Sequence, residues 1–133
     1  MKFSAIYSVV AAGLLAAGSA AAHHSFSAEF DRNLPVNVTG TVTKVEWMNP
    51  HARFYIDVKD EAGKVSNWDF ELASPNGLMR RGWTRNSMKI GDVVTVTGSR
   101  AKNNPLVGNA STVTLADGKK LFAGSSAENE ATQ

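Results

Sequence analysis

The chain has 133 residues, enough for one domain, with 14 basic and 12 acidic side chains and no cysteine. A charge balance this even lacks the basic excess that a nucleic-acid partner requires. The absence of cysteine excludes disulfides, thiolate metal sites and thiol catalysis.

Residues 1–22 read as a secretory signal peptide. Lys2 supplies the positive start, residues 5–15 are mostly apolar, and Gly18-Ser19-Ala20-Ala21-Ala22 is a small-residue exit. The apolar run is shorter than the roughly 20 residues a spanning helix needs, so the mature chain is expected to carry no transmembrane segment. Without Lys2 the 14 basic side chains fall to 13, against 12 acidic ones. An exported domain of this size without disulfides must draw its stability from sheet closure and packing.

Residues 23–35 read as an N-terminal arm, with Phe26 and Phe30 pinning a polar run of Glu29, Asp31, Arg32 and Asn33 to the surface. Residues 36–123 read as the folded domain. Val36, Val38 and Val42 share one face of a first strand, and the apolar phase then slips to Val45 and Trp47. A change of phase just after Gly40 predicts a bulge or sharp coil. Met48-Asn49-Pro50 is a turn. In the next strand Ala52, Phe54, Ile56 and Val58 alternate with Arg53, Tyr55, Asp57 and Lys59. Asp60-Glu61-Ala62-Gly63 closes a hairpin into a third strand, where Trp68, Phe70 and Leu72 oppose Asn67, Asp69 and Glu71. Ser74-Pro75 opens a short helix with a capping hydroxyl and a proline at its first position, and Gly82 stops it. A strand from Val93 to Gly98, a loop from Lys102 to Gly108 and a strand from Ala110 to Leu115 follow. Asp117-Gly118 turns the chain into a short return at Lys120-Leu121-Phe122. The composition of residues 124–133 predicts a disordered tail.

Three strands, a short helix and two strands, with a coiled first strand, are the layout of a five-stranded OB barrel, all-β apart from one helix. Closure into a barrel also removes the open edges of so small a sheet. An open β-sandwich would need more strands than these.

Several motifs carry a family resemblance over nearly the whole mature chain. They are His23-His24 past the signal, Gly40-Thr41-Val42, Trp47-Met48-Asn49-Pro50-His51, Trp68 with Glu71, Ser74-Pro75-Asn76, Arg81-Gly82-Trp83 and Gly91-Asp92. In these the chain resembles an uncharacterised group of exported bacterial proteins, domain of unknown function 6152. The resemblance implies a periplasmic, OB-like protein and brings no activity or site with it.

The function must therefore come from the residues. All three histidines, His23, His24 and His51, are candidates for one metal cluster. A cut after Ala22 would give an amino-terminal His23 whose amine and ring chelate one ion, with His51 as third nitrogen, an arrangement that resembles the histidine brace of copper proteins. Cuts after Ala21 or Ala20 would put a histidine third and give a planar site of amine, amides and imidazole. Nitrogen donors in a planar set suit Cu(II) or Ni(II). The cut after Ala22 leaves small residues at both recognition positions. Met48 could add a soft axial donor, and Glu29 and Asp31 could orient a ligating imidazole.

A second reading is a metal-free OB module that holds a protein or glycan partner. Its groove would be built from Trp83 and Arg85 with Arg81 and Tyr55. Arg53 and Arg80 would add positive charge. No glycine-rich phosphate loop and no nucleophile with a paired base stand out, so the sequence points to a carrier or binding protein rather than an enzyme.

Overall fold

The computed structural model describes residues 26–124. The expected signal peptide, His23, His24 and the tail beyond Gly124 lie outside the described residues.

A helical turn at residues 26–29 leads into β1 (Phe30–Glu46). The chain continues through β2 (Arg53–Lys59), β3 (Val65–Glu71), α1 (Pro75–Arg80), β4 (Val93–Ala101), β5 (Val107–Thr114) and the short β6 (Lys120–Phe122). The sheet order is β3-β2-β1-β4-β5-β6. A further parallel pairing of β3 with β5 closes it into a barrel. The long first strand serves both halves: its C-terminal part pairs with β2 and its N-terminal part with β4, both antiparallel. With a helix between β3 and β4, this is an OB fold. No helix among the described residues is long and apolar enough to cross a membrane.

The coil in β1 falls between Val42 and Lys44, where its register against β2 shifts at Thr43. That is the phase slip expected after Gly40, displaced by a few residues. Gly40 has its own reason to be glycine, because a Cβ there would run into the backbone carbonyl of Asp57. Gly98 on β4 is in the same position against the carbonyl of Asn109. Both mark places where a strand of this narrow barrel passes too close to its neighbour for a side chain.

Alternation fills the interior as the sequence predicts. Phe54, Ile56, Phe70, Val42, Val94, Val96 and Val113 are completely enclosed. Phe54 stacks on Phe70 at 5.5 Å between ring centres, and Trp68 stacks on the same ring at 5.5 Å. Each such side chain is worth about 1.5–3 kcal/mol of burial. One end of the core is completed by α1. The Ser74 hydroxyl accepts the Gly77 N–H at 3.2 Å, Pro75 begins the helix, and Leu78 projects into the core cluster.

Several boundaries differ from the sequence reading, β4 for example running to Ala101 rather than Gly98, and two of them bear on the site. β1 begins at Phe30, six residues before Val36, so part of the expected arm is strand. The run Asp31-Arg32-Asn33 has no apolar alternation to announce this. The pairing with β4 nonetheless resumes beyond a register irregularity between Asp31 and Pro35, with Phe30 opposite Ala101 and Asp31 opposite Arg100, and Phe30 is buried. Likewise β5 begins at Val107, inside the expected loop, because it pairs there with β3.

Candidate functional site

The outward residues of β2 and β3 meet in register, Arg53 opposite Glu71 and Tyr55 opposite Asp69. Beyond the strand ends the ladder continues for one more step, with the Leu72 N–H donating to the Ala52 carbonyl at 2.9 Å and the Ala52 N–H to the Ala73 carbonyl at 3.1 Å. That extra step carries His51, on the β1–β2 connection, over Glu71. The result is a chain of charged groups on the outside of the barrel. His51 Nδ1 lies 2.7 Å from Glu71 Oε1. The other carboxylate oxygen of Glu71 accepts from Arg53 Nη1 at 3.1 Å, and Arg53 Nε donates to Asp69 Oδ1 at 3.0 Å.

Burial grades along this chain. The Glu71 side chain is 12% exposed and that of Arg53 26%, whereas His51 is 45% exposed. Burial works to lower the Arg53 pKa, but the hydrogen bond and charge of Asp69, with the charge of Glu71, outweigh it and raise it. Both oxygens of Glu71 are thus committed, one to an arginine that cannot lose its proton and one to the histidine. In the neutral ring this geometry assigns the proton to Nδ1 and leaves Nε2 as a free lone pair.

A cleft of about 570 Å³ opens next to this chain. Ala28 and Glu29 of the N-terminal turn, Arg53, Ala101 and Val107 of the strands, and Asn103 and Asn104 of the β4–β5 loop line it. The turn is tied to that loop where the Lys102 N–H donates to the Glu29 carbonyl at 2.9 Å and Lys102 Nζ reaches the Ser27 carbonyl at 2.5 Å. Glu29 is exposed along its length but faces the cleft. Partial burial there, and next the charge of Glu71, push its carboxyl above the ordinary range. Two buried polar atoms lack a partner among the described residues. Asn109 Oδ1 is on the residue opposite Glu71 in the β3–β5 register, two positions from Val107 and so on the same face. Arg100 Nε is on the residue opposite Gly108, which lies against the Phe70 ring.

Of the residues singled out in the sequence, His51, Arg53 and Glu29 are in this site. Tyr55 is next along β2, half-buried, with the Lys44 ammonium 5.2 Å from its ring centre. Trp83 is corrected by the structure. It is 2% exposed, packs in the core cluster and donates its indole N–H to the Phe122 carbonyl at 2.8 Å, so its ring offers no stacking surface. Arg81 is half-buried and bonds the Gly124 carbonyl, while Arg85 is exposed. Among the described residues no hydrogen bond, ion pair or ring contact joins Tyr55 to Trp83, Arg81 or Arg85. Met48 is exposed on the connection that carries His51. Also among the described residues, no three His, Asp or Glu side chains stand close enough to hold a metal ion by themselves.

Asp69 and Glu71 are the members of the chain that sequence reasoning left without a role. Their outward phase was legible, but their partners depend on a cross-strand register that alternation does not supply.

The model of a family of unknown function, DUF6152, matches residues 12–110. The chain belongs to this family. DUF6152 therefore supplies a kinship covering β1 to β4 and the start of β5, and no activity. No curated protein is similar enough in sequence to match. Among solved structures, the chain is similar to the mitochondrial single-stranded DNA binding protein Rim1 from S. cerevisiae at 12% identity and a TM-score of 0.48, over 61% of this chain and 91% of that one. It is also similar to the N-terminal domain of PriB from Thermoanaerobacter tencongensis at 18% identity and a TM-score of 0.45, over 63% of this chain and 97% of that one.

Proposed function

We propose that this DUF6152 protein is an exported, periplasmic copper-binding accessory protein, a carrier rather than an enzyme. It holds one ion through His51 and the amino-terminal histidine His23, with His24 as the alternative ligand. The observation that carries this reading is the chain His51–Glu71–Arg53. A ligating imidazole typically donates its second nitrogen to a carboxylate, which fixes the ring and raises its basicity. Glu71 is so placed, at 2.7 Å, and Arg53 keeps it from turning toward the metal itself.

The course of the chain supports the same reading. Glu29 stands close enough to His51, Arg53 and Glu71 for their charges to act on its carboxyl. His24 is five residues upstream of Glu29, within about 18 Å along even a fully extended chain. That short tether is what the reading requires if an amino-terminal histidine is to share an ion with the free nitrogen of His51.

The test is a copper titration of the processed protein, with native and denatured mass spectrometry to fix the cut and the stoichiometry. One copper per chain and nitrogen couplings from more than one imidazole in the Cu(II) spin-resonance spectrum are expected. Replacing Glu71 by glutamine should weaken copper about 10–100-fold, the usual effect of losing such an orienting partner. Copper affinity unchanged by both Glu71→Gln and His51→Ala would defeat the reading.

A metal-free binding module remains the second reading, on a different surface from the one the sequence suggested. With Trp83 in the core, the described cavity that could serve it is the cleft at Glu29 and Arg53.

A further inference from the structure

Among the described residues, the cleft carries a carboxylate with no hydrogen-bond or ion-pair partner of its own, although the charges of Arg53 and His51 act on it. Arg53 spends Nε on Asp69 and Nη1 on Glu71, so two carboxylates already share its one positive charge. His51 also turns to Glu71. Lys102, which ties the turn to the loop, sends its ammonium to the Ser27 carbonyl. Glu29 is left facing the cleft with no hydrogen-bond or ion-pair partner for its carboxyl among the described residues. With a neutral His51, the group carries three carboxylates against one guanidinium.

The polar atoms around Glu29 add to the same demand. Asn104 Oδ1 is occupied by the Leu106 N–H at 3.0 Å, but the side-chain amide of Asn103 is free among the described residues. Farther along β5, opposite Glu71, Asn109 is 4% exposed and holds an acceptor oxygen that meets no donor among the described residues. A ligand with N–H donors and a positive charge answers Glu29, whereas an anion would meet that carboxylate and an Arg53 whose charge is already shared by Asp69 and Glu71. The volume of about 570 Å³ is within the roughly 300–1,000 Å³ usual for sites of small organic ligands.

We infer that the cleft binds an alkylammonium group, with its charge against Glu29 and its N–H donors shared with the Asn103 amide. Ala28, Ala101 and Val107 supply the apolar wall along which the methylene stem of such a ligand lies. A bound cation would also relieve what holds the Glu29 carboxyl above its ordinary range, offsetting its loss of water and the charge of Glu71. This inference stands apart from the copper reading, since it uses the cleft and not the Nε2 side of His51.

The same group could come from a free diamine or from a lysine side chain, and the experiment separates the two. Metal-free processed protein, labelled with nitrogen-15, is titrated with putrescine, with Nα-acetyl-lysine amide and with 1,4-butanediol as the uncharged control. The amines are expected to shift the backbone amides of Ala101, Asn103 and Val107 to saturation, and the diol is not. Glu29→Gln should weaken amine binding at least tenfold. Tighter putrescine assigns the site to a free diamine, and tighter acetyl-lysine amide to a lysine side chain. Equal shifts from the amines and the diol, or a Glu29→Gln protein that binds amines as the parent does, would overturn the inference.

Discussion

Strands β2 and β3 present two faces made from alternate residues of the same segments, and the faces follow different rules. Inward, Phe54, Ile56 and Phe70 are completely enclosed and belong to the apolar core cluster. Outward, Arg53, Asp69 and Glu71 are each a quarter exposed or less, and they are held by a handful of directed hydrogen bonds. The inner face gains free energy roughly in proportion to area removed from water, whichever apolar shapes fill it. On the outer face, attraction between charges is largely cancelled by the cost of drying them. What it yields is geometry: a histidine held at one angle and a cleft with one unmatched carboxylate.

The sharpest test of this contrast is at Phe70. Its truncation to alanine empties the centre of the Phe54–Phe70–Trp68 stack, and urea unfolding should show a loss of about 3–5 kcal/mol. A loss below about 1 kcal/mol would mean that the stack is not the core of the barrel.

Arg53→Gln probes the outer face. It removes two charge-assisted bonds from a side chain that keeps some solvent contact, so a cost of about 1–2 kcal/mol is expected, below the range for fully buried partners. The diagnostic readout is separate. The nitrogen-15 shifts of His51 should lose their single-tautomer signature in the variant, an outcome that loss of stability alone does not produce.

The smallest effect is expected at Glu29, and it has a sign. Its folded pKa is raised above the ordinary carboxyl range, so the fold favours the protonated form. The stability this lends is complete below the unfolded pKa and is lost as pH rises through the folded one. Glu29→Gln lacks that loss. Its denaturation midpoint should therefore match the parent in acid and exceed it slightly at neutral pH. A variant that is less stable than the parent at neutral pH would show that the carboxylate has a partner after all.

Much of the barrel was legible because alternation reports burial directly. The inward sets of β2, β3 and β4, the Ser74 cap and the short return at β6 follow from side-chain chemistry within a few residues of one another. The start of β1 was not legible, since Phe30 and Asp31 pair with β4 beyond a register irregularity that Arg32 and Asn33 cross without apolar alternation. The site was half legible for the same reason. His51 stands out as one of three histidines, but its partner Glu71 is twenty residues away and becomes one only when β2 and β3 take their register. Trp83 shows the converse limit: composition marks an aromatic ring as a candidate platform, while only packing shows that its indole N–H is spent on Phe122.

The barrel is closed by a seam of three register pairs, Asp69 with Val107, Phe70 with Gly108 and Glu71 with Asn109. The seam thus joins two carboxylates of the charged chain on one side to the cleft-lining Val107 and the unpartnered Asn109 on the other. Parallel pairing is slightly weaker per residue than antiparallel, so this is where local opening of the barrel costs least. Occupancy of the outer site and slow amide hydrogen exchange at Gly108 and Asn109 are then two readings of one equilibrium. A ligand that bridges Glu29 and the strand face clamps the seam shut, and a protein with its seam ajar has no site to offer.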